Sequence, residues 1–118
     1  MKSLENKTAL VTGGSRGIGR AIALAMAEEG ANIAVVVAGN REAAEKTAAE
    51  IAEKGVQARI YQCDVASAGE TEAVVKQILD DFGGVDILVN NAGIVRDTLL
   101  LRMKEEDFDA VLNTNLKG

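Results

Sequence analysis

Short, nearly unbroken apolar runs alternate with longer stretches in which apolar positions recur every three to four residues. The runs predict strands at Thr8–Thr12, Asn32–Val37, Gln57–Cys63 and Val85–Asn90. The second and fourth are apolar enough to be buried on both faces. The amphipathic stretches predict helices. One spans about Gly17–Glu29, with the stripe Ile18, Ile22, Ala25 and Met26, and Gly30 closes it. The next spans about Arg41–Lys54, with Ala44, Thr47, Ala48 and Ile51 on one face, and Gly55 ends it. A third begins at the capping box Ser67-x-x-Glu70, buries Val75, Ile78, Leu79 and Phe82, and breaks at Gly83-Gly84. A short helix is expected over Leu99–Met103. A last one starts near Glu105, presents Phe108, Val111 and Leu112, and is still running at Leu116.

Strands alternating with helices predict a parallel sheet covered on both sides. The expected strand order is 3-2-1-4, an α/β doubly wound arrangement. That order leaves the apolar fourth strand at an edge, where exposed pairing groups are a hazard. A complete doubly wound sheet places further strands there, so the pattern reads as the first half of a larger fold, with residues 1–118 as one part of one domain. No repeat or low-complexity segment interrupts it, and the absence of proline excludes a proline-rich spacer.

Composition narrows the chemistry. The 118 residues are 47% hydrophobic, 26% charged and only 3% aromatic, which suits a tightly packed α/β domain. The net charge of −5 argues against nucleic acid as the main partner. No apolar run approaches a membrane span, and Met1–Lys7 lacks the apolar core of a signal peptide. The single cysteine, Cys63, excludes an internal disulfide framework, makes the cytoplasm the expected compartment, and is itself expected to be buried. The chain contains no histidine, so neither a Ser-His-Asp nor a Cys-His nucleophilic system can be built within it, and no zinc site is expected.

The stretch Thr12-Gly13-Gly14-Ser15-Arg16-Gly17-Ile18-Gly19 lies between the first strand and the first helix. A glycine-rich strand-to-helix turn lets the backbone approach a nucleotide's phosphates, and the helix N-terminus favours their charge. The spacing is G-x-x-x-G-x-G rather than the commoner G-x-G-x-x-G. The second strand ends Val37-Ala38-Gly39-Asn40-Arg41, without the acid that accepts from a free ribose 2′-hydroxyl. Arg16 in the loop and Arg41 just past the strand favour a 2′-phosphate, hence NADP(H), although Arg41 also reads as a solvated helix-start residue. Asn40, at the strand tip, is counted with the cofactor-binding candidates. Asp64, after the third strand, is placed to accept from an adenine amino group, with Val65 offering backbone contacts; a turn aspartate is the alternative. Asn90-Asn91-Ala92-Gly93 ends the fourth strand at the expected switch point and should line the cofactor crevice. Asn115 puts an amide where the last helix's stripe calls for an apolar side chain, which marks either a functional site or a capping residue.

Together these motifs resemble the classical short-chain dehydrogenase/reductases. The matching pieces are Thr12-Gly13-x-x-x-Gly17-x-Gly19, Cys63-Asp64-Val65, Asn90-Asn91-Ala92-Gly93 and Asn113-Thr114-Asn115-Leu116, and they cover essentially the whole chain. The stretch Gly93–Lys104 is more specifically similar to bacterial 3-oxoacyl-[acyl-carrier-protein] reductases, though acetoacetyl-CoA reductases look similar there. The resemblance implies a Rossmann-type fold and NADPH-dependent reduction of a carrier-bound 3-oxoacyl thioester in fatty-acid synthesis, by a homotetramer. It implies that Gly13, Gly14, Ser15, Arg16, Gly17, Ile18 and Gly19 cradle the pyrophosphate, with Arg16 at the 2′-phosphate. Asp64 and Val65 then hold adenine, and Asn91, Ala92 and Gly93 back the ribose and nicotinamide. Asn115 matches the family's catalytic asparagine, which supports a water in the proton relay. The family's Tyr-x-x-x-Lys pair has no counterpart, since the one tyrosine is Tyr61 and position 65 is Val65. Loss of the general acid costs a factor of about 10²–10⁴ in rate. The chain alone is therefore expected to be inactive, or to be a non-catalytic nucleotide-binding half-domain.

Overall fold

The computed structural model describes residues 3–13, 17–39, 41–63, 67–90 and 110–113. In chain order the elements are β1 (Thr8–Thr12), α1 (Gly17–Glu28), β2 (Asn32–Val37), α2 (Arg41–Ala52), β3 (Ala58–Gln62), α3 (Ala68–Phe82), β4 (Ile87–Asn90) and β5 (Ala110–Asn113). The strands form one sheet in the order β3-β2-β1-β4-β5, and every neighbouring pair is parallel. The expected order 3-2-1-4 is present, with one strand added beyond it.

The sheet separates two apolar layers, because successive side chains of a strand point to opposite faces. On one face Ala9, Val11, Ile33, Val35, Val37, Ile87 and Val89 meet Ala23 and Ala27 of α1 and Ala44 and Ile51 of α2. On the other, Leu10, Ala34, Val36, Tyr61, Cys63 and Leu88 meet Val74, Val75 and Ile78 of α3. Cys63 is fully buried, as expected. All five residues of β1 are buried. This is the burial of a central parallel strand, and it explains why its sequence shows no polar alternation.

Helix α1 buries a different stripe from the one its large apolar residues suggest. Gly19, Ala23 and Ala27, four apart, face the sheet. Ile18 and Ala25 are exposed, while Ile22 and Met26 are only half-buried. Small side chains at the contact let the helix lie close to the strands, and the bulkier residues flank that line. Arg20 is paired with Glu50 of α2, and Glu28 with Lys54 in the turn just past α2, so two ion pairs tie α1 to its neighbour across the same layer. Helix α3 starts as read: Ser67 is its N-cap, and the side chain accepts from the Glu70 backbone N–H at 3.3 Å. It ends at Gly83, whose φ of 77° is left-handed and whose N–H donates to the Leu79 carbonyl. Leu79 is 37% exposed rather than buried. Val74, with Val75 and Ile78, takes the buried side instead.

The larger correction concerns the segment expected to be the middle of a helix from Glu105 to Leu116. Ala110–Asn113 is a strand, paired with β4 through Ile87↔Ala110, Leu88↔Val111, Val89↔Leu112 and Asn90↔Asn113. A four-residue Ala-Val-Leu-Asn run fits either period, and periodicity alone does not separate a short buried strand from a helical turn. Strand β4, apolar over Ile87–Val89, offers an edge whose backbone groups need partners, and pairing satisfies them. Strand β4 is accordingly an interior strand and not the expected edge. The short helix expected at Leu99–Met103 lies outside the described residues.

Candidate functional site

The chain order fixes where a crevice forms. After β1, the chain passes through α1 to β2 and then through α2 to β3 on one side; it then crosses back to place β4 on the other side of β1. The connections leaving β1 and β4 therefore diverge at the C-terminal ends of these two strands. Ligands of open parallel sheets bind at such a switch point. Thr12, Gly13 and Asn90 stand there.

Gly13 and Gly17 both have left-handed φ angles, 66° and 63°. A Cβ built on Gly17 meets nothing within 4 Å, so backbone conformation rather than crowding favours glycine there. Gly13 is anchored by its N–H, which donates to the Val36 carbonyl at 2.8 Å. Gly19 is buried against the sheet, the packing role of the last glycine in such loops. Ile18, between them, is 45% exposed on the first turn of α1.

The charge pattern at the helix starts adds to this. Helices α2 and α3 each carry an acid in their first turn, Glu42 and Glu70, whereas α1 carries none. An acid near a helix N-terminus offsets its partial positive charge. The first turn of α1 carries no such offset, and a helix N-terminus of that kind is suited to an external anion.

The sequence reading puts Thr12 in the glycine stretch and Asn90 at the crevice but does not pair them. Thr12 and Asn90 oppose each other in the β1–β4 register and are 1% and 3% exposed. The Thr12 hydroxyl donates to Asn90 Oδ1 at 3.1 Å and lies 3.4 Å from the Val89 carbonyl. Asn90 Nδ2 is buried and, among the described residues, has no hydrogen-bond partner. The signal available in the sequence was a polar residue ending each of two apolar strands that become neighbours.

Tyr61 is not available for proton transfer. It is 5% exposed, and its hydroxyl donates to Asp81 Oδ2 on α3 at 2.7 Å. Burial first, and then the Asp81 carboxylate, raise it above the usual phenol range. It fastens α3 to β3 on the far side of β2 from the switch point.

Of the residues expected to hold a cofactor, the structure brings Gly13, Gly17, Ile18 and Gly19 together at the crevice. Gly14, Ser15, Arg16, Asn40, Asp64, Val65, Asn91, Ala92, Gly93 and Asn115 lie outside the described residues. Arg41, exposed at the start of α2, pairs with Glu45 at 3.6 Å. Among the described residues no group of histidine, cysteine or acidic side chains could hold a metal. No described helix is long and apolar enough to cross a membrane.

Comparison with known proteins agrees with this geometry. The chain is 57% identical over 112 residues to the 3-oxoacyl-[acyl-carrier-protein] reductase FabG of Staphylococcus aureus, covering 95% of this chain and 46% of that protein. It is 51% identical over all 118 residues to a 3-oxoacyl-[acyl-carrier-protein] reductase of Synechocystis, 48% of whose length is covered. The chain thus spans about half the length of these curated relatives. Among solved structures, an NAD+-bound xylitol dehydrogenase superposes with a TM-score of 0.83 at 34% identity, over 95% of this chain and 54% of that one. A short-chain dehydrogenase of Burkholderia cenocepacia in complex with NADP superposes with a TM-score of 0.72 at 45% identity, over 75% of this chain and 36% of that one. The family model for short chain dehydrogenases matches residues 7–118. With a parallel sheet in the order that family requires and a glycine turn at its switch point, the chain belongs to the short-chain dehydrogenase family.

Proposed function

We propose that the protein binds NADP(H) at the C-terminal ends of β1 and β4 and serves the reduction of 3-oxoacyl-[acyl-carrier-protein] to the 3-hydroxyacyl thioester. The observation that carries the binding step is the start of α1: two left-handed glycines, an exposed Ile18 and a first turn without an acid. The acyl substrate is suggested by the named activity of the Staphylococcus and Synechocystis relatives. The preference for NADP rests on the absence of an acid at the tip of β2, on Arg16 and Arg41, and on the NADP complex of the Burkholderia neighbour.

In this reading residues 1–118 are the N-terminal part of one cofactor-binding domain. Gly13, Gly14, Ser15, Gly17, Ile18 and Gly19 cradle the pyrophosphate, Gly13 by shaping the turn while its own N–H stays on the Val36 carbonyl, and Arg16 meets the 2′-phosphate. Asn40 lies toward the ribose, Asp64 and Val65 toward adenine, and Asn91, Ala92 and Gly93 toward the ribose and nicotinamide. When bound, NADPH supplies the hydride that reduces the keto carbon. Asn115 holds a water through which a proton is replenished. The acid that protonates the carbonyl oxygen is not Tyr61, whose hydroxyl is committed to Asp81. A cytoplasmic, homotetrameric enzyme follows the same reading.

Fluorescence titration with NADPH and NADH tests the binding step, and turnover of a 3-oxoacyl thioester with and without acyl carrier protein tests the substrate. Tighter binding of NADPH and faster reduction of the carrier-bound thioester are expected. Failure to bind either dinucleotide refutes the proposal. A non-catalytic nucleotide-binding module is the second reading, favoured by the commitment of Tyr61, and it predicts NADPH binding without turnover.

A further inference from the structure

We propose that Glu45 is a specificity-determining residue of the cofactor site: paired with Arg41, it competes with the 2′-phosphate of the dinucleotide and so holds down the preference for NADP(H) over NAD(H). The inference rests on the reading that Arg41 helps to receive that phosphate.

Arg41 opens α2, just past the exposed Ala38 and Gly39 at the end of β2. This strand end stands beside the glycine turn, because the Gly13 N–H donates to the Val36 carbonyl at 2.8 Å. A Cβ built on Gly39 meets nothing within 4 Å, so the space there is open. At this end of the second strand a dinucleotide-binding sheet selects its cofactor: an acid takes a ribose 2′-hydroxyl, and an arginine takes a 2′-phosphate. The run Val37-Ala38-Gly39-Asn40-Arg41 offers the arginine and no acid.

Helix α2 itself has little use for a cation at this place. A positive charge in the first turn opposes the helix macrodipole. The pairing with Glu45 also runs in the weaker direction, since the acid lies four residues C-terminal to the base. A guanidinium that does little for its own helix, set at the strand end where a 2′-phosphate is recognised, points to an anion from outside.

The hold of Glu45 on that guanidinium is of a kind that a ligand can displace. Arg41 Nε lies 3.6 Å from Glu45 Oε2, which is ion-pair range but too long for a hydrogen bond, and both side chains are exposed. Arg20 shows the contrast. Glu50 engages it at both Nε and Nη2, and that pair is half-buried. A 2′-phosphate has to draw the Arg41 guanidinium away from Glu45, and it then stands near the carboxylate it has displaced. A cofactor with a free 2′-hydroxyl makes no such demand and leaves the pair in place. Glu45 therefore weakens the binding of one cofactor and not of the other.

Calorimetry on adenosine 2′,5′-bisphosphate and adenosine 5′-monophosphate tests this, because the two probes differ only in the 2′-phosphate. Glu45→Gln should bind the bisphosphate roughly two- to fivefold more tightly, the worth of an exposed ion pair, and the monophosphate as the wild type does. High salt should shrink the gain. In an Arg41→Gln background Glu45→Gln should have no effect. Glu42→Gln removes a neighbouring acid of the same helix and should give a smaller gain. Unchanged affinity for the bisphosphate in Glu45→Gln overturns the inference. So does an equal change for both probes, a gain that survives in Arg41→Gln, or an equal gain from Glu42→Gln, the mark of net charge alone. Arg41→Gln by itself separates the two levels. If it leaves the ratio of the two affinities unchanged, Arg41 does not meet the 2′-phosphate, and the inference falls with that reading. If it lowers the ratio while Glu45→Gln does nothing, only the role of Glu45 fails. Binding of neither probe refutes the cofactor site and the inference with it.

Discussion

The Thr12–Asn90 pair makes a prediction of sign as well as size. Thr12→Val removes the hydroxyl that donates to Asn90 Oδ1. Asn90 is 3% exposed, and its Nδ2 has no partner among the described residues, so the variant leaves both ends of a buried amide unpaired. The cost of one such unsatisfied group is about 1–3 kcal/mol. With a urea m value of about 1–2 kcal/mol/M, the midpoint falls by roughly 1 M. Asn90→Leu acts differently. It replaces an amide already short of one partner with an apolar side chain of similar size, and the Thr12 hydroxyl can turn to the Val89 carbonyl 3.4 Å away. It therefore costs less than Thr12→Val. The sharp expectation is the double variant. Once Thr12 is valine, Asn90→Leu removes two unsatisfied polar atoms and stabilises the protein by about 1 kcal/mol or more, because replacing both partners by apolar groups is nearly neutral. Equilibrium urea denaturation of the wild type, both single variants and the double variant gives the cycle. Simple additivity, with Asn90→Leu equally destabilising in both backgrounds, refutes the account of the pair.

Tyr61→Phe should cost about 2 kcal/mol, the worth of a hydrogen bond to a carboxylate. Because the folded protein raises Tyr61 above its unfolded value of about 10, the group's contribution is complete below that pH and is lost as pH rises toward the folded value. Denaturation midpoints above pH ~10 should therefore fall in the wild type and, for this group, stay level in Tyr61→Phe. On the acid side the Arg20 hydrogen bond holds Glu50 below its usual value, so its contribution is present above the unfolded pKa and lost as pH falls through the folded one. Glu50→Gln should flatten that part of the acid limb, and 1 M salt should shrink the difference. Ser67→Ala should lower stability by about 1 kcal/mol through loss of the N-cap, read from urea midpoints. Gly17→Ala, forced to hold a φ of 63°, should lose about 1 kcal/mol of stability and weaken NADPH binding, whereas Gly69→Ala, where φ is ordinary, should not weaken it.

The sequence was legible wherever one local signal decided the outcome. Strands β1 and β2 begin and end as read, because the apolar runs Ala9–Val11 and Ile33–Val37, bounded by polar and glycine positions, are too short for a helix and suit a buried parallel strand. The start of α3 was legible because capping is chemistry among neighbours in the chain. The α1 stripe was misread for a different reason. Hydrophobicity ranks Ile18 and Met26 above Gly19 and Ala23, but contact with a sheet is governed by how closely the backbones can approach, and there the small residues win. Strand β5 was misread because its state is decided by the unsatisfied edge of β4, more than 20 residues away along the chain, which no local window contains.

The same contrast explains why the glycine turn at the switch point can be read and the Thr12–Asn90 pair cannot. A glycine turn announces itself through φ angles that other residues avoid, a property of single positions. The polar pair exists only once β1 and β4 become neighbours across the sheet, 78 residues apart in sequence. Its cost is visible only there as well, since a threonine and an asparagine at strand ends are unremarkable until both are buried. Stability alone would favour apolar residues at both places. That both are polar places a buried amide short of one partner at the switch point of the sheet, beside a helix whose first turn carries no acid of its own.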